Sequence, residues 1–322
     1  MEFSGSGANE YCNNMKVSIV IPAFNEELTI EKTIKDYSYV FPDAYFCIID
    51  NNSQDNTYKI ASRVISELNI KGIIKKESRQ GKAFAIRSGL VNLDSDYYIM
   101  TDADCTYPAS EAKKCLDVII ETNADIVTGD RHSTGAYKRE NKRSFHNFGN
   151  MLVKYLIKII FKTDFRDILT GLRVFDKRFA KNYPILCNGF ELETDMTLHI
   201  IDKRLKITEV PIIYQDRPHG SFSKLNTFKD GFNVIRLLFK VFRYYKPLQF
   251  FSIFALILFV CGLMPGLIVI NEFIETKYIK HVPSAILASA LMICSLVSFT
   301  IGLVLDNINR RFMEIYEQNL SK

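Results

Sequence analysis

Tryptophan is absent from this chain of 322 residues, histidine occurs five times, and the seven cysteines form neither a Cys-x-x-Cys pair nor a zinc-ligand spacing. A structural zinc site and a disulfide-stapled secreted scaffold are thereby excluded, and a reducing cytosolic face is the simpler setting. The first fourteen residues hold no apolar stretch, so a cleaved secretory leader is not expected and this part is read as a loose tail before Met15. Charge is also missing from two places: Phe250 to Ile270 and Ser284 to Leu305, runs of 21 and 22 residues, contain no Asp, Glu, Lys or Arg. As helices, runs of that length reach about 31 Å, the thickness of a hydrocarbon core. Each can span a bilayer, with Pro265 and Gly266 expected to kink the first.

With 48% apolar and 24% charged residues the chain folds, and its length suggests about two domains. The net charge of +5 is unevenly placed: Gly135 to Lys162 carries +6 and Gly220 to Gln249 carries +5, so the remainder is acidic. Both basic segments interleave Lys and Arg with large apolar residues, which suits a phospholipid surface and not a nucleic-acid groove. Met151, Leu152, Tyr155, Leu156, Ile159 and Ile160 share one helical stripe beside three lysines, readable either as a core-facing or as a membrane-surface helix. Leu225 to Tyr245 leads into the first apolar run and is read as a juxtamembrane amphipathic helix. Basic residues lie before and after the apolar pair, while the connecting stretch is neutral, so both ends are expected on the cytoplasmic side.

From Val17 short β-branched runs alternate with helical patterns. Val17 to Ile21, Ala44 to Ile49, Gly72 to Lys75, Tyr97 to Met100 and Asp125 to Thr128 are predicted strands. Glu26 to Tyr39, Asn56 to Leu68, Lys82 to Leu93 and Ser110 to Glu121 are predicted helices between them. This is an α/β pattern with a mostly parallel sheet, and such sheets bind ligands beyond the carboxyl ends of their strands. The expected organisation is a tail at 1–15, an α/β domain at 16–220, a loop and juxtamembrane helix at 221–249, a two-helix hairpin at 250–305 and a tail at 306–322. Asp102 and Asp104, two apart at a strand end, can converge; a hard divalent ion such as Mg²⁺ takes few protein carboxylates plus substrate phosphates. Held there, it would neutralise a diphosphate leaving group.

The ordered runs VSIVIPAFNEE, IIDNNSQDNT, RQGKAFAIRSGL, YIMTDADCTYP and DILTGLRVF resemble a family-2 glycosyltransferase of the GT-A fold. With RPHGSFSKL and the terminal apolar pair, the chain looks more closely like the polyprenyl-phosphate sugar transferases, the group of dolichyl-phosphate mannose synthase and bactoprenol glucosyltransferase. The resemblance runs from about Val17 to the C-terminal helices. It implies that Pro22, Asn25 and Glu26 form the turn against the nucleotide, with Phe24 replacing the usual tyrosine, and that Asp50 reads the base or ribose. It implies donor and metal roles for Asp102 and Asp104 with Mg²⁺ or Mn²⁺; Thr106 stands where many relatives have a metal-contacting Gln. Gly129 and Arg131 match an acceptor-side Gly-x-Arg, Arg143 matches a second acceptor-phosphate arginine, and Asp167 falls where relatives have an acid that orients or acts as a weak base. Asp104, Asp167 and Arg131 are thus the residues assigned to catalysis.

Each residue also has a plainer reading. Asn25 and Asp55 could cap helices, Asp167 could pair with Arg173 across Gly171, and Glu191, Glu193 and Asp195 could simply favour a helix N-terminus. Lys82 could touch donor phosphate or face solvent. Arg217, Ser223 and Lys224 form a basic, hydroxyl-bearing loop before the juxtamembrane helix, where a lipid-borne phosphate would sit and where arginine can bind it bidentately; a generic interfacial anchor is the alternative.

The expected reaction is inverting hexose transfer from a nucleotide diphosphate sugar, UDP-glucose in type, to an undecaprenyl or dolichyl phosphate. The alternatives are a GDP-mannose donor and a non-catalytic, membrane-anchored nucleotide-sugar binder. A processive polysaccharide synthase is disfavoured because its Gln-x-x-Arg-Trp motif needs a tryptophan. Partners are the nucleotide sugar, the polyprenyl phosphate and membrane lipid, with room for a homo-oligomer and no nucleic acid.

Overall fold

Apolar β-branched runs that alternate with helices cannot bury both faces alone, and the computed structural model stacks them into a seven-stranded sheet. It describes residues 15–133, 155, 158–159, 163, 165–185, 192–218 and 239–320. The chain divides into two units, Met1–Thr227 and Phe228–Lys322.

In the first unit β1 (Val17–Ala23), α1 (Ile30–Val40), β2 (Tyr45–Asp50), α2 (Thr57–Glu67), β3 (Gly72–Lys76), α3 (Lys82–Leu90), β4 (Tyr97–Met100), α4 (Ala109–Thr122) and β5 (Ile126–Asp130) follow the sequence expectation closely. The exception is the start of α1, which lies at Ile30 and not at Glu26. Asn25 adopts a left-handed φ of 51°, and the Glu26 carbonyl accepts from the amides of Thr29 and Ile30 at 3.1 and 2.9 Å. Residues 24–29 are therefore a turn projecting from the end of β1.

After β5 come β6 (Arg173–Asp176), α5 (Lys177–Asn182), α6 (Leu192–Asp202) and β7 (Ile207–Pro211). The strand order is β3-β2-β1-β4-β6-β5-β7. β1 pairs parallel with β2 and β4, and β2 with β3, whereas β6 runs antiparallel between β4 and β5. Neither β6 nor β7 was expected from the sequence, since β6 is four residues long and begins on a charged arginine.

The core forms on both faces by the period-two rule. Ile19, Ile21, Ile48 and Ile99 meet α1, α2 and α4, while Val20, Cys47, Ile49, Tyr98 and Met100 meet α3, α5 and α6. Sheet and helices thus leave the carboxyl ends of β1, β2 and β4 as the open rim.

His199 of α6 packs against the rings of Phe179 and Tyr183. Burial, with the Lys203 charge added, pushes its pKa down to about 4 from 6.5. Between those values the unfolded chain takes up a proton that the folded chain refuses. Stability should therefore be full above pH 6.5 and fall towards pH 4, by on the order of 2–3 kcal/mol. Urea denaturation of His199→Phe is expected to show a shallower loss over that window; an unchanged pH slope would refute the assignment.

In the second unit residues 239–245 are helical, and α7 (Pro247–Thr276) and α8 (Val282–Leu320) form the hairpin. The helix α7 continues through Pro265, and α8 carries on through 306–320, the segment expected to be a separate tail. Small residues seven apart line the contact: Ala255, Gly262 and Val269 on α7, Ala288, Ser295 and Gly302 on α8. A Cβ at Gly302 would lie 2.9 Å from Cβ of Phe251, and one at Gly262 would lie 3.0 Å from Cβ of Leu291, so the helices need glycine to approach this closely. The Ser295 hydroxyl donates to the Ala255 carbonyl at 2.8 Å. Ile253, Leu256, Ile257, Val260 and Met264 face outward and exposed, and both helices are long and apolar enough to cross a membrane.

Candidate active site

The site is built from the rim of the sheet. β4 ends at Met100, and the chain then turns sharply through Cys105, whose φ is 61°. This turn folds the backbone back, so that the amide and hydroxyl of Thr106 donate to Asp104 Oδ1 at 3.1 and 2.6 Å. Thr106 therefore orients Asp104.

Each of the two aspartates meets a protein cation. Lys82, at the start of α3, places Nζ 2.5 Å from Asp102 Oδ1 and 2.5 Å from Glu193 Oε1. Burial works against the Lys82 ammonium, yet the charges of Asp102 and Glu193 hold its pKa above that of an ordinary lysine. Arg217 sets Nη2 2.5 Å from Asp104 Oδ2 and Nη1 3.5 Å from Glu26 Oε1. Burial, and then the charge of Asp102, push the Asp104 carboxyl upward against the pull of Arg217 and Thr106. A buried carboxyl in this state favours added positive charge beside it.

The loop before β6 closes over Asp102. A Cβ on Gly171 would lie 2.3 Å from Asp102 Oδ2, and the Gly171 amide donates to the Tyr107 hydroxyl at 2.7 Å. In the same loop Asp167 forms a fork with Arg131, Nε to Oδ2 at 2.7 Å and Nη2 to Oδ1 at 2.9 Å, and both residues are buried. Burial raises the Asp167 pKa, but the Arg131 hydrogen bonds and charge, with His132 behind them, hold it below the ordinary carboxylate range. The ion pair anticipated here has Arg131 as its partner; Arg173 instead donates to the carbonyls of Thr170 and Ile168 and to the Thr197 hydroxyl. The Arg131 guanidinium lies 5.3 Å from the centre of the Tyr214 ring, which meets Tyr107 edge-on, so this pair and the aspartate turn share an aromatic wall. Glu209 fixes the loop by accepting from the amides of Arg166 and Asp167.

The other wall joins the ends of β1 and β2. Asn25 accepts from the Gln54 amide at 2.8 Å and donates its own amide to the Ser53 hydroxyl at 2.9 Å, a loop-to-loop tie in place of the helix cap. Asp55 does hold the entry of α2, through the Thr57 amide, and also accepts from the Glu27 amide. Pro22, in β1, lies in register with Ile49. Asp50 closes β2 with a buried Oδ1 that has no hydrogen-bond partner among the described residues. Asn51 clamps the next loop, donating to the Arg79 carbonyl at 2.7 Å and accepting from the Gly81 amide at 2.7 Å.

Tertiary contact thus brings together Glu26, Lys82, Asp102, Asp104 and Arg217, with Arg131 and Asp167 beside them. Arg143, Ser223 and Lys224 lie outside the described residues. Glu193, read as a helix-terminus acid, proves to be the second anchor of Lys82, and Tyr107, Gly171 and Tyr214 enter unanticipated. No local pattern marks Glu193, because its partner is 111 positions away.

Residues 18–183 match the family model described as glycosyl transferase family 2. The chain belongs to that family. It is 30% identical over 297 residues to glycosyltransferase AglJ of Haloferax volcanii, covering 90% of this chain and 92% of the relative. It is also 25% identical to a dolichyl-phosphate hexose transferase of the same organism, over 70% of this chain and 93% of that one. Among solved structures, glucosyl-3-phosphoglycerate synthase of Mycobacterium tuberculosis, in complex with Mn²⁺, UDP-glucose and phosphoglyceric acid, is similar with a TM-score of 0.56. The identity to it is 17%, and the match covers 76% of this chain and 84% of that one. The transferase therefore has the GT-A fold.

Proposed function

We propose that this transferase moves a hexose from a nucleoside diphosphate sugar, UDP-glucose in type, to a polyprenyl phosphate at the cytoplasmic face of a membrane, with inversion at the anomeric carbon. The observation that supports the reading is the pair of aspartates in the turn after β4, each held by its own cation, in a chain that carries two apolar helices of spanning length. The dolichyl-phosphate hexose transferase relative supports the acceptor class, and Mn²⁺ with UDP-glucose in the solved neighbour supports the donor class.

The residues fit a divalent ion of the Mg²⁺ or Mn²⁺ kind. Asp102 and Asp104 are hard oxygen donors, both already drawn towards cations, and such ions complete their shells with phosphate oxygens and water. When bound there the ion would neutralise the departing diphosphate.

The chain's own residues do the rest. Asp50 offers the nucleoside an oxygen that has no partner among the described residues, and the Asn25 tie holds the pocket wall. Lys82 keeps Asp102 oriented through the Glu193 anchor. An acceptor phosphate oxygen attacks the anomeric carbon as the bond to the diphosphate breaks. A phosphate monoester loses its second proton near a pKa of about 6, so the nucleophile is already ionised at neutral pH. Asp167, saturated by Arg131, therefore serves as an orienting group for that arginine and not as a proton acceptor. Positioning and charge neutralisation supply the rate. Arg131, Arg143, Arg217, Ser223 and Lys224 are the proposed phosphate ligands.

The test incubates purified full-length protein with polyprenyl phosphate and a panel of labelled UDP-glucose, UDP-galactose and GDP-mannose. Organic-extractable label should form best from a UDP-hexose and disappear with EDTA. Preference for GDP-mannose would transfer the donor assignment to mannose, and label that survives complete chelation would remove the metal from the reading.

A further inference from the structure

The two cations at the aspartates are not equivalent. Lys82 is 12% exposed in its side chain, bridges two carboxylates at 2.5 Å and sits on α3. Arg217 is 29% exposed and lies in residues 212–218, a stretch without regular secondary structure that follows β7. It nonetheless holds Asp104 Oδ2 at 2.5 Å and reaches Glu26 Oε1 at 3.5 Å. A divalent ion taken up by Asp104 needs the lone pairs that the Arg217 guanidinium now engages. At Asp104 the ion would have to share Oδ2 with the guanidinium, because Oδ1 already accepts from the Thr106 amide and hydroxyl, whereas Lys82 engages only Oδ1 of Asp102. Two positive charges at contact distance on the same oxygen repel, and the more exposed Arg217 is the one that yields.

We propose that Arg217 is the resident counter-ion of Asp104, displaced when the donor and its divalent ion bind, and that this displacement frees it to take the phosphate monoester of the acceptor. The proposal rests on the divalent-ion reading above and deepens it into an order of addition. Lys82 stays, because leaving would strand the buried Glu193 and the part-buried Asp102 without the cation they share. Arg217 can go, because its side chain already touches solvent and its carboxylate partner gains a doubly charged ion in exchange. Before the donor arrives, the guanidinium is occupied and the site presents little attraction to a phosphate. Afterwards it presents a planar fork suited to bidentate phosphate binding. Donor first, acceptor second, follows from that exchange of partners.

Mn²⁺ binding to the full-length protein in detergent, followed by its EPR signal in the absence of nucleotide, tests the competition. Arg217→Gln is expected to bind Mn²⁺ roughly tenfold more tightly than the unsubstituted protein, and Arg217→Lys to lie between the two. Equal or weaker binding by Arg217→Gln, with binding still abolished by Asp104→Asn, overturns the counter-ion role and leaves the metal assignment standing. Binding that ignores Asp104 altogether overturns both. A second measurement needs no substitution: amide exchange in a peptide covering 212–218 should quicken severalfold when Mn²⁺ and UDP are added to the unsubstituted protein. Unchanged or slowed exchange there refutes the release of Arg217.

Discussion

Asp104→Asn is expected to reduce formation of the lipid-linked sugar by about a thousandfold, the scale set by removing a preorganised electrostatic contact from a reacting centre. Its shape is that of aspartate, so the turn through Cys105 should persist. What goes is the negative charge that the site concentrates beside Asp102. That charge is costly to the folded protein, since burial and the neighbouring carboxylate already raise the Asp104 pKa. Arg217, partly exposed, can turn to water when its partner is neutralised. Thermal unfolding should therefore occur at the same temperature as in the unsubstituted protein, or higher, while turnover collapses. Activity within tenfold of the unsubstituted protein would remove Asp104 from the reaction. A large fall in melting temperature would instead show that its main role is structural.

Gly171→Ala should lower turnover by about a hundredfold without removing any charged group. Gly171 does not carry a positive φ, so alanine meets no backbone strain there. The difficulty is space: the new Cβ would fall 2.3 Å from Asp102 Oδ2 and 2.9 Å from its Cγ. Asp102 is tethered on its other side by Lys82, so relief must come from moving the carboxylate or lifting the loop at Asp167–Gly171. A displacement of about 1 Å at such a site can cost about a hundredfold in rate. The loss should appear in both the rate and the Mn²⁺ requirement, with nucleotide binding in the absence of metal unchanged. Turnover within twofold of normal would mean that the close approach to Asp102 has no catalytic consequence.

Much of this architecture is readable along the chain. The first five strands and the four helices between them follow the hydrophobic period, and the two aspartates fall at the end of β4 as their sequence context implies. The hairpin is equally legible, since its length and lack of charge are local properties. The start of α1 was misplaced because Asn25 looks like a cap when only its own segment is considered. Its actual partners, Ser53 and Gln54, belong to the loop after the next strand.

The sequence by itself determined the elements whose stability is local or periodic: alternating strands and helices, an acidic turn at a strand end, and two spans without charge. Tertiary structure alone decided where β6 inserts, that Asp167 pairs with Arg131, that Glu193 reaches Lys82, and that Gly171 seats against Asp102. Those arrangements depend on charges and contact surfaces that meet only after the sheet has closed. A buried ion takes whichever counter-charge the fold brings within reach, and position along the chain carries no record of that distance.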